Sequence, residues 1–325
     1  MNVIRQSPVI NLALLAAVIA AAAARAHYTP FPAESFADTA TYIGSAVARW
    51  QTAAPTAAAI AAAVVWFIAG WVIGLVVCVR ELYFVRTTIT IPLYGITACG
   101  IFLPGGSLTA ALASLMFAIA MRSYFGAYRD GYGFSPIFFG SLCLGALPLL
   151  YAPATALLLL MPLAVVIFKR SAREALVAVA GTAFAPIAAC YICWGVGGDF
   201  AEPLMMSADA LTAVSGYRFF GAISAGSAAL AASLLAMVLG AAMFSSANIY
   251  SMNSRARYIT LFNLCAFAVA LTTLAMPSST VTALGLVAVP TAMIIPAMLV
   301  QIRSSAANII FAGLFLIFIL HLFVD

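Results

Sequence analysis

Long apolar runs alternate with short polar breaks along nearly the whole chain, and the breaks set how each run is read. Runs at 8–25, 55–79, 174–196, 219–244, 259–276, 280–301 and 306–324 each suit one helix crossing a hydrocarbon layer, which takes about 20 residues. Two further stretches read as helical hairpins. The first, 87–121, turns at Leu103-Pro104-Gly105-Gly106-Ser107, and the second, 131–168, turns between Leu147-Pro148 and Ala152-Pro153. Between Arg86 and Arg122 lie 35 residues (122 − 86 − 1), and between Asp130 and Lys169 lie 38 (169 − 130 − 1). Two crossings and a turn need about 40 or slightly more, so both hairpins are short. Pro92, Gly95, Gly100, Gly140, Gly145, Pro148 and Pro162 interrupt them, leaving kinked thin crossings or re-entrant loops as the two forms. Broken, undersized spans often line cavities, so the hairpins are expected to form a cavity wall.

Composition turns these runs into a class. Of 325 residues, 66% are hydrophobic and 7% charged, against about 25% charged in soluble domains. The expected fold is all-α: a polytopic integral-membrane helical bundle of about eleven transmembrane helices, forming a single transmembrane domain over 1–325. No polar stretch is long enough to bury a core of its own. The net charge of +5 is not a nucleic-acid footprint, because basic residues sit singly or in twos and threes at the ends of apolar runs. There they act as topology determinants. With the N-terminus in and the C-terminus out, Arg5, Arg80, Arg86, Arg122, Arg129, Lys169, Arg170, Arg173, Arg255, Arg257 and Arg303 fall inside, and only Arg25, Arg49 and Arg218 fall outside. The reverse orientation would expose most cations and is rejected. Ala24-Arg25-Ala26 could be a signal-peptide cleavage site, but 8–24 is long enough to serve as the first span.

Two polar segments then lie outside, 26–54 and 197–218. Phe36, Ile43, Val47 and Trp50 recur near a helical period, which predicts a short interfacial helix in the first segment. Gly70-x-x-x-Gly74 predicts a face for close helix packing in the second span.

The stretch from Arg122 to Gly181 carries a pattern of its own. It has a phenylalanine-rich entry, a Leu144-Gly-Ala-Leu-Pro-Leu-Leu-Tyr151 turn, and Arg173-Glu174-Ala-Leu-Val-Ala-Val-Ala-Gly181 opening the next span. It resembles a family of multi-pass inner-membrane proteins of Bacteroidota, and 289–304 fits the same pattern. The chain departs from the family at Phe134-Ser135-Pro136, where relatives tend to read Phe-Asp-Ala, and at Ala178, where they have proline. The resemblance implies a bacterial inner (plasma) membrane and the cell envelope. It implies no activity and no site residue.

Candidate chemistry is confined to the two outer segments. A span, an acidic loop holding Glu34 and Asp38, an interfacial helix and a further span follow one another, an order similar to that in membrane glycosyltransferases that use polyprenyl-phosphate sugars. A carboxylate there can act as general base toward an acceptor hydroxyl or bind a divalent cation. The competing account makes Glu34 or Ser35 a helix cap with Asp38 in the first turn. Asp199, Glu202 and Asp209 could complete a substrate site, with Arg25, Arg49 or Arg218 gripping a phosphate; ordinary loop solvation competes. Cys190-x-x-Cys193 has no histidine nearby and reads as packing, and His27 and His321 read as local hydrogen-bonding groups. No metal or cofactor is expected. The centres of the spans hold no charge, which disfavours an ion-coupled transporter, and there is no Walker motif. Two functions follow. One is an enzyme or polymerase of envelope biogenesis acting at the outer face on a lipid-linked sugar. The other is a non-enzymatic scaffold or lipid-handling subunit. Membrane lipids, a polyprenyl-phosphate-linked substrate and membrane-protein partners are the expected associates.

Overall fold

A chain this poor in polar side chains has few outside partners for its backbone, so its N–H and C=O groups pair within helices. The computed structural model describes residues 4, 6–28, 40–80, 87–100, 108–127, 133–214, 225–250, 252–280 and 282–324, and among these there is no strand. In order the helices are α1 (Pro8–Tyr28), α2 (Tyr42–Ala53), α3 (Pro55–Arg80), α4 (Thr90–Gly100), α5 (Leu108–Ala127), α6 (Phe134–Leu150) and α7 (Leu160–Ile167). After these come α8 (Ala172–Gly195), α9 (Glu202–Thr212), α10 (Ala225–Ala247), α11 (Ser254–Leu274), α12 (Thr282–Leu299) and α13 (Ser304–Val324). A 3-10 segment, Ala152–Leu159, leads into α7. Eight helices (α1, α3, α5, α8, α10, α11, α12 and α13) are long and apolar enough to cross a membrane. The protein is a helical membrane protein.

The two hairpins are unequal inside. In the first, α5 has 20 residues but α4 only 11, about 16 Å of helix. In the second, α6 does not stop at Pro148. It runs on to Leu150, and the chain breaks at Tyr151, which is extended (φ −149°, ψ 107°). The turn therefore falls within the expected interval from Leu147-Pro148 to Ala152-Pro153. Pro148 sits in the last turn of α6, where the loss of one backbone donor does not end the helix. The turn expected at 103–107 lies outside the described residues.

The first hairpin is not a cavity wall along α4, because α4 is packed on every side. All 11 of its residues are buried, and it touches α1, α3, α10, α12 and α13. Its neighbour α12 is buried except at Val287 and Met298, despite Pro290 and Pro296. These two helices form the centre of the bundle and the longer ones surround them. Small residues make this possible. A Cβ on Gly70 would meet Leu15 Cδ2 at 2.6 Å and one on Gly95 would meet Leu15 Cδ1 at 2.7 Å, so Leu15 of α1 sits between α3 and α4. Gly74 admits Ile91 in the same way. Association in lipid depends on such close packing rather than on apolar burial, because lipid tails are as apolar as the helices.

Polar ties cross the interior at Tyr94 to Ser114 (2.6 Å) and Tyr124 to Ser141 (2.8 Å). Bonds of this kind in membranes are worth roughly 0.6 kcal/mol each. At one end of the bundle, Phe262 of α11 meets Tyr124, Phe125 and Phe168, with ring centroids 5.6, 6.1 and 5.1 Å away. That end also carries Lys169, Arg170, Arg173, Arg255 and Arg257 and is called the basic end below. The other end carries α2 and α9.

Candidate functional site

At the α2 and α9 end, α2 begins at Thr41, and the reason is a cap. The Thr41 hydroxyl accepts from the Gly44 N–H at 3.2 Å and donates to the Leu150 carbonyl at 2.9 Å. The same side chain therefore starts the helix and fastens it to the end of α6. One residue further on, the Tyr151 hydroxyl accepts from the Thr280 N–H at 2.9 Å, which ties the turn before α12 to the same place. The interfacial helix expected from Phe36 thus starts at Tyr42, and Val47 is its residue packed on the core while Ile43 and Trp50 stay exposed.

The second outer segment, expected to be a loop, contains the helix α9. It is placed by the end of α8. Gly197 has φ +94°, a conformation that strains any residue with a Cβ, and the Gly198 N–H bonds back to the Cys193 carbonyl at 3.0 Å. This turn folds the chain over the last turn of α8. The Cys193 thiol then donates to Glu202 Oε2 at 3.3 Å, and the Tyr42 phenol lies near the same sulfur. A Cβ on Gly198 would lie 2.6 Å from the Cys193 sulfur, so the corner has no room for a larger residue. Burial first, then the Cys193 contact and the Glu202 charge, push the Tyr42 phenol above its usual value of 10.0. Tyr42 therefore stays neutral and can donate.

Of the site residues expected from sequence, Glu34, Asp38 and Arg218 lie outside the described residues. Arg49 is exposed on α2, its Nε donating to the Ser45 carbonyl at 3.4 Å. It stands seven residues beyond Tyr42, about two turns along the same helix face. Asp199 is exposed and accepts from the Ala201 N–H at 3.4 Å at the start of α9. Among the described expected residues, Arg25 meets the His321 side chain and Glu202 that of Cys193, and no local sequence pattern pairs Cys193 with Glu202 or Tyr42. The sequence around Cys193 indicates packing and carries no sign of a tyrosine about 150 positions earlier. Asp209 is exposed on α9. Among the described residues no group of three or more His, Cys, Asp or Glu could hold a metal ion.

Arg25 and His321 meet at the far ends of α1 and α13, Nη1 to Nε2 at 2.8 Å. A guanidinium only donates, so the buried imidazole accepts through Nε2 and its proton sits on Nδ1.

Around these polar groups the surface is apolar. Trp50, Trp194, Val196, Phe200, Leu204 and Met205 are exposed beside Arg49, Asp199 and Glu202. Two short helices with this mixture, touching each other and the α6 terminus, form an amphipathic layer on one end of the bundle. The chain matches no protein-family model, no curated protein and no solved structure. The likeness to Bacteroidota inner-membrane proteins rests on the sequence motifs alone.

Proposed function

We infer that the protein spans a bacterial inner membrane eleven times, and that its α2 and α9 end lies outside and handles a lipid-linked sugar in envelope biogenesis. The eleven are the eight long helices with α4, α6 and the 3-10 segment with α7. The cations of the basic end orient it inward. The observation that carries the reading is the amphipathic layer of α2 and α9, in which exposed aromatic and aliphatic side chains adjoin Arg49, Asp199 and Glu202. Such a layer suits a molecule with an apolar chain and an anionic, sugar-bearing head.

In this reading Arg49 and Arg218 hold the polyprenyl phosphate, and Glu34 or Asp38 takes the proton of an acceptor hydroxyl. The acceptor oxygen bonds to the sugar carbon as its bond to phosphate oxygen breaks, and the lipid phosphate leaves with that electron pair. Glu202 and Asp199 contact the sugar, Glu202 from a position fixed by Cys193. A second reading, a non-enzymatic lipid-handling subunit, is favoured by one observation: Glu202 is engaged in fastening α9 to α8.

A deletion strain complemented with Glu34→Gln and Asp38→Asn separates the two. Loss of complementation with either variant, at normal protein level and with an accumulated lipid-linked intermediate in lipid extracts, is the result expected of the enzyme. Full complementation by both contradicts it and leaves the lipid-handling reading.

A further inference from the structure

Two thiols stand one turn apart at the end of α8, and the corner that leads to α9 is built on one of them. Cys190 and Cys193 are both free thiols on the buried face of the helix. A separation of three residues at 1.5 Å rise per residue puts their Cα atoms about 5 Å apart, inside the roughly 4.4–6.8 Å that a disulfide spans. Their Cβ atoms, about 5–6 Å apart at this spacing, exceed the roughly 3.5–4.5 Å of a relaxed disulfide, so a bridge would draw in the last turn. A bridge under that strain is readily reduced again, which suits reversible control better than a permanent staple.

Cys193 also seats the corner. Its thiol donates to Glu202 Oε2 at 3.3 Å, its carbonyl accepts from the Gly198 N–H at 3.0 Å, and its sulfur leaves no room for a Cβ on Gly198. Little else holds α9 down, since only Pro203 and Ala210 of its 11 residues are buried. A segment so lightly buried opens locally at low cost, and that opening admits a reagent to the sulfur beneath. Packing on this face is met by alanine, as at Ala178 and Ala189. It does not account for a thiol seated on a carboxylate with a second thiol one turn earlier.

We propose that Cys190 and Cys193 form a reversible disulfide that releases α9 and shifts Glu202, a regulation that rests on this end lying outside, where disulfides persist. The co-reactant is a disulfide donor, R–S–S–R. Cys193 gives its proton to Glu202 or water, and its thiolate attacks one donor sulfur and expels the first RS⁻. The Cys190 thiolate then attacks the Cys193 sulfur of the mixed disulfide and expels the second. The two leaving thiolates take up the two protons, and the donor gains the two electrons that the cysteine pair loses. Without its proton Cys193 no longer donates to Glu202, and the drawn-in turn carries the Gly198 corner off its seat.

The test uses purified full-length protein in detergent, equilibrated with oxidised or reduced glutathione, with alkylation and mass spectrometry to map the bridge. Wild type is expected to form the Cys190–Cys193 bridge in the oxidised buffer. Thermolysin cleavage within 198–213 should then rise about fivefold or more and return to its starting rate in dithiothreitol. Glu202→Ala in the reduced state isolates the lost bond and should raise cleavage only about twofold, because a thiol is a weak donor. Cys190→Ser with Cys193→Ser keeps a hydroxyl donor beside Glu202 and should not respond to oxidant. Absence of the bridge in wild type, a bridge that leaves cleavage unchanged, or the same response in the double serine variant overturns the proposal. Purified protein has no inside or outside, so these results do not depend on orientation. A pair that bridges in detergent but stays reduced in cells would instead contradict the outward placement, and with it the regulation.

Discussion

Two helices of this protein end in the same backbone turn, α7 at the basic end and α8 beneath α9, but with opposite residues in the left-handed position. Gly197 takes it without strain at φ +94°, and the turn serves to fold α9 back onto Cys193. Lys169 takes it at φ 51° against the preference of a residue with a Cβ, and the turn places a charge. The same geometry is an economical corner at one end and a strained support for a cation at the other. The carboxylates differ in parallel. Glu174 is 3% exposed and accepts four donors, so it holds α6 and α8 together; Glu202 is exposed and accepts one weak donor, so it remains open to a ligand. One end is built to stay fixed, and the other presents groups to the surface.

That contrast can be broken by substitution, read as thermal unfolding in detergent. Glu174→Ala should be the most damaging, about 3 kcal/mol, because it strands the Gly133 and Ser171 N–H groups in a buried place. Gly197→Ala should cost about 1–2 kcal/mol, while Lys169→Gly should gain about 1 kcal/mol. Equal signs for that pair would show that the two turns are not the same in kind. Thr41→Ala should cost about 1 kcal/mol through the lost cap of α2, with increased proteolysis at 40–54 as a local readout. Glu202→Ala should be the mildest, about 0.5 kcal/mol or less, since a thiol is a weak donor. A loss as large as that for Glu174→Ala would make Glu202 a structural group and remove it from the proposed site. On the pH axis, burial first and then Cys193 raise the Tyr42 pKa above 10.0, so the stability held by the neutral phenol is fully present below that value and lost as pH rises through the raised one. Stability should show no transition from this group between about pH 6 and about pH 9.

Much of the fold was legible because run length and terminal charges are one-dimensional signals. Seven of the eight long helices match expected single spans. The eighth, α5, is the second limb of the first hairpin and runs on past the expected end at 121 to Ala127. Gly70 and Gly74 admit Leu15 and Ile91 as the small-residue pattern implied. Burial was not legible. A helix apolar all round, such as α4 or α12, gives no sign in its own sequence whether lipid or protein surrounds it. The cavity-wall expectation failed at α4 for that reason. The corner after α6 falls at Tyr151, inside the expected interval from Leu147-Pro148 to Ala152-Pro153, and Pro148 itself sits in the last turn of the helix, which tolerates it. In the candidate site, the exposed charges Arg49, Asp199 and Glu202 are found by residue type, whereas the Cys193–Glu202 bond, with Tyr42 near the same sulfur, depends on how α2, α8 and α9 meet, which no local pattern encodes. α9 was missed because its 11 residues mix polar and apolar positions too briefly to stand out between the neighbouring runs.

The central claim is that the two ends face opposite sides of a membrane, with α2 and α9 outside. The most direct measurement labels single cysteines in intact cells with a membrane-impermeant maleimide, in a background with the six native cysteines replaced. Arg49→Cys marks one end. Arg303→Cys marks the other, because α12 carries the chain about 27 Å away from Thr280 and the α2 end. The account predicts that position 49 is labelled in intact cells and position 303 only after permeabilisation. Labelling of both from the same side, or of 303 alone in intact cells, would contradict it.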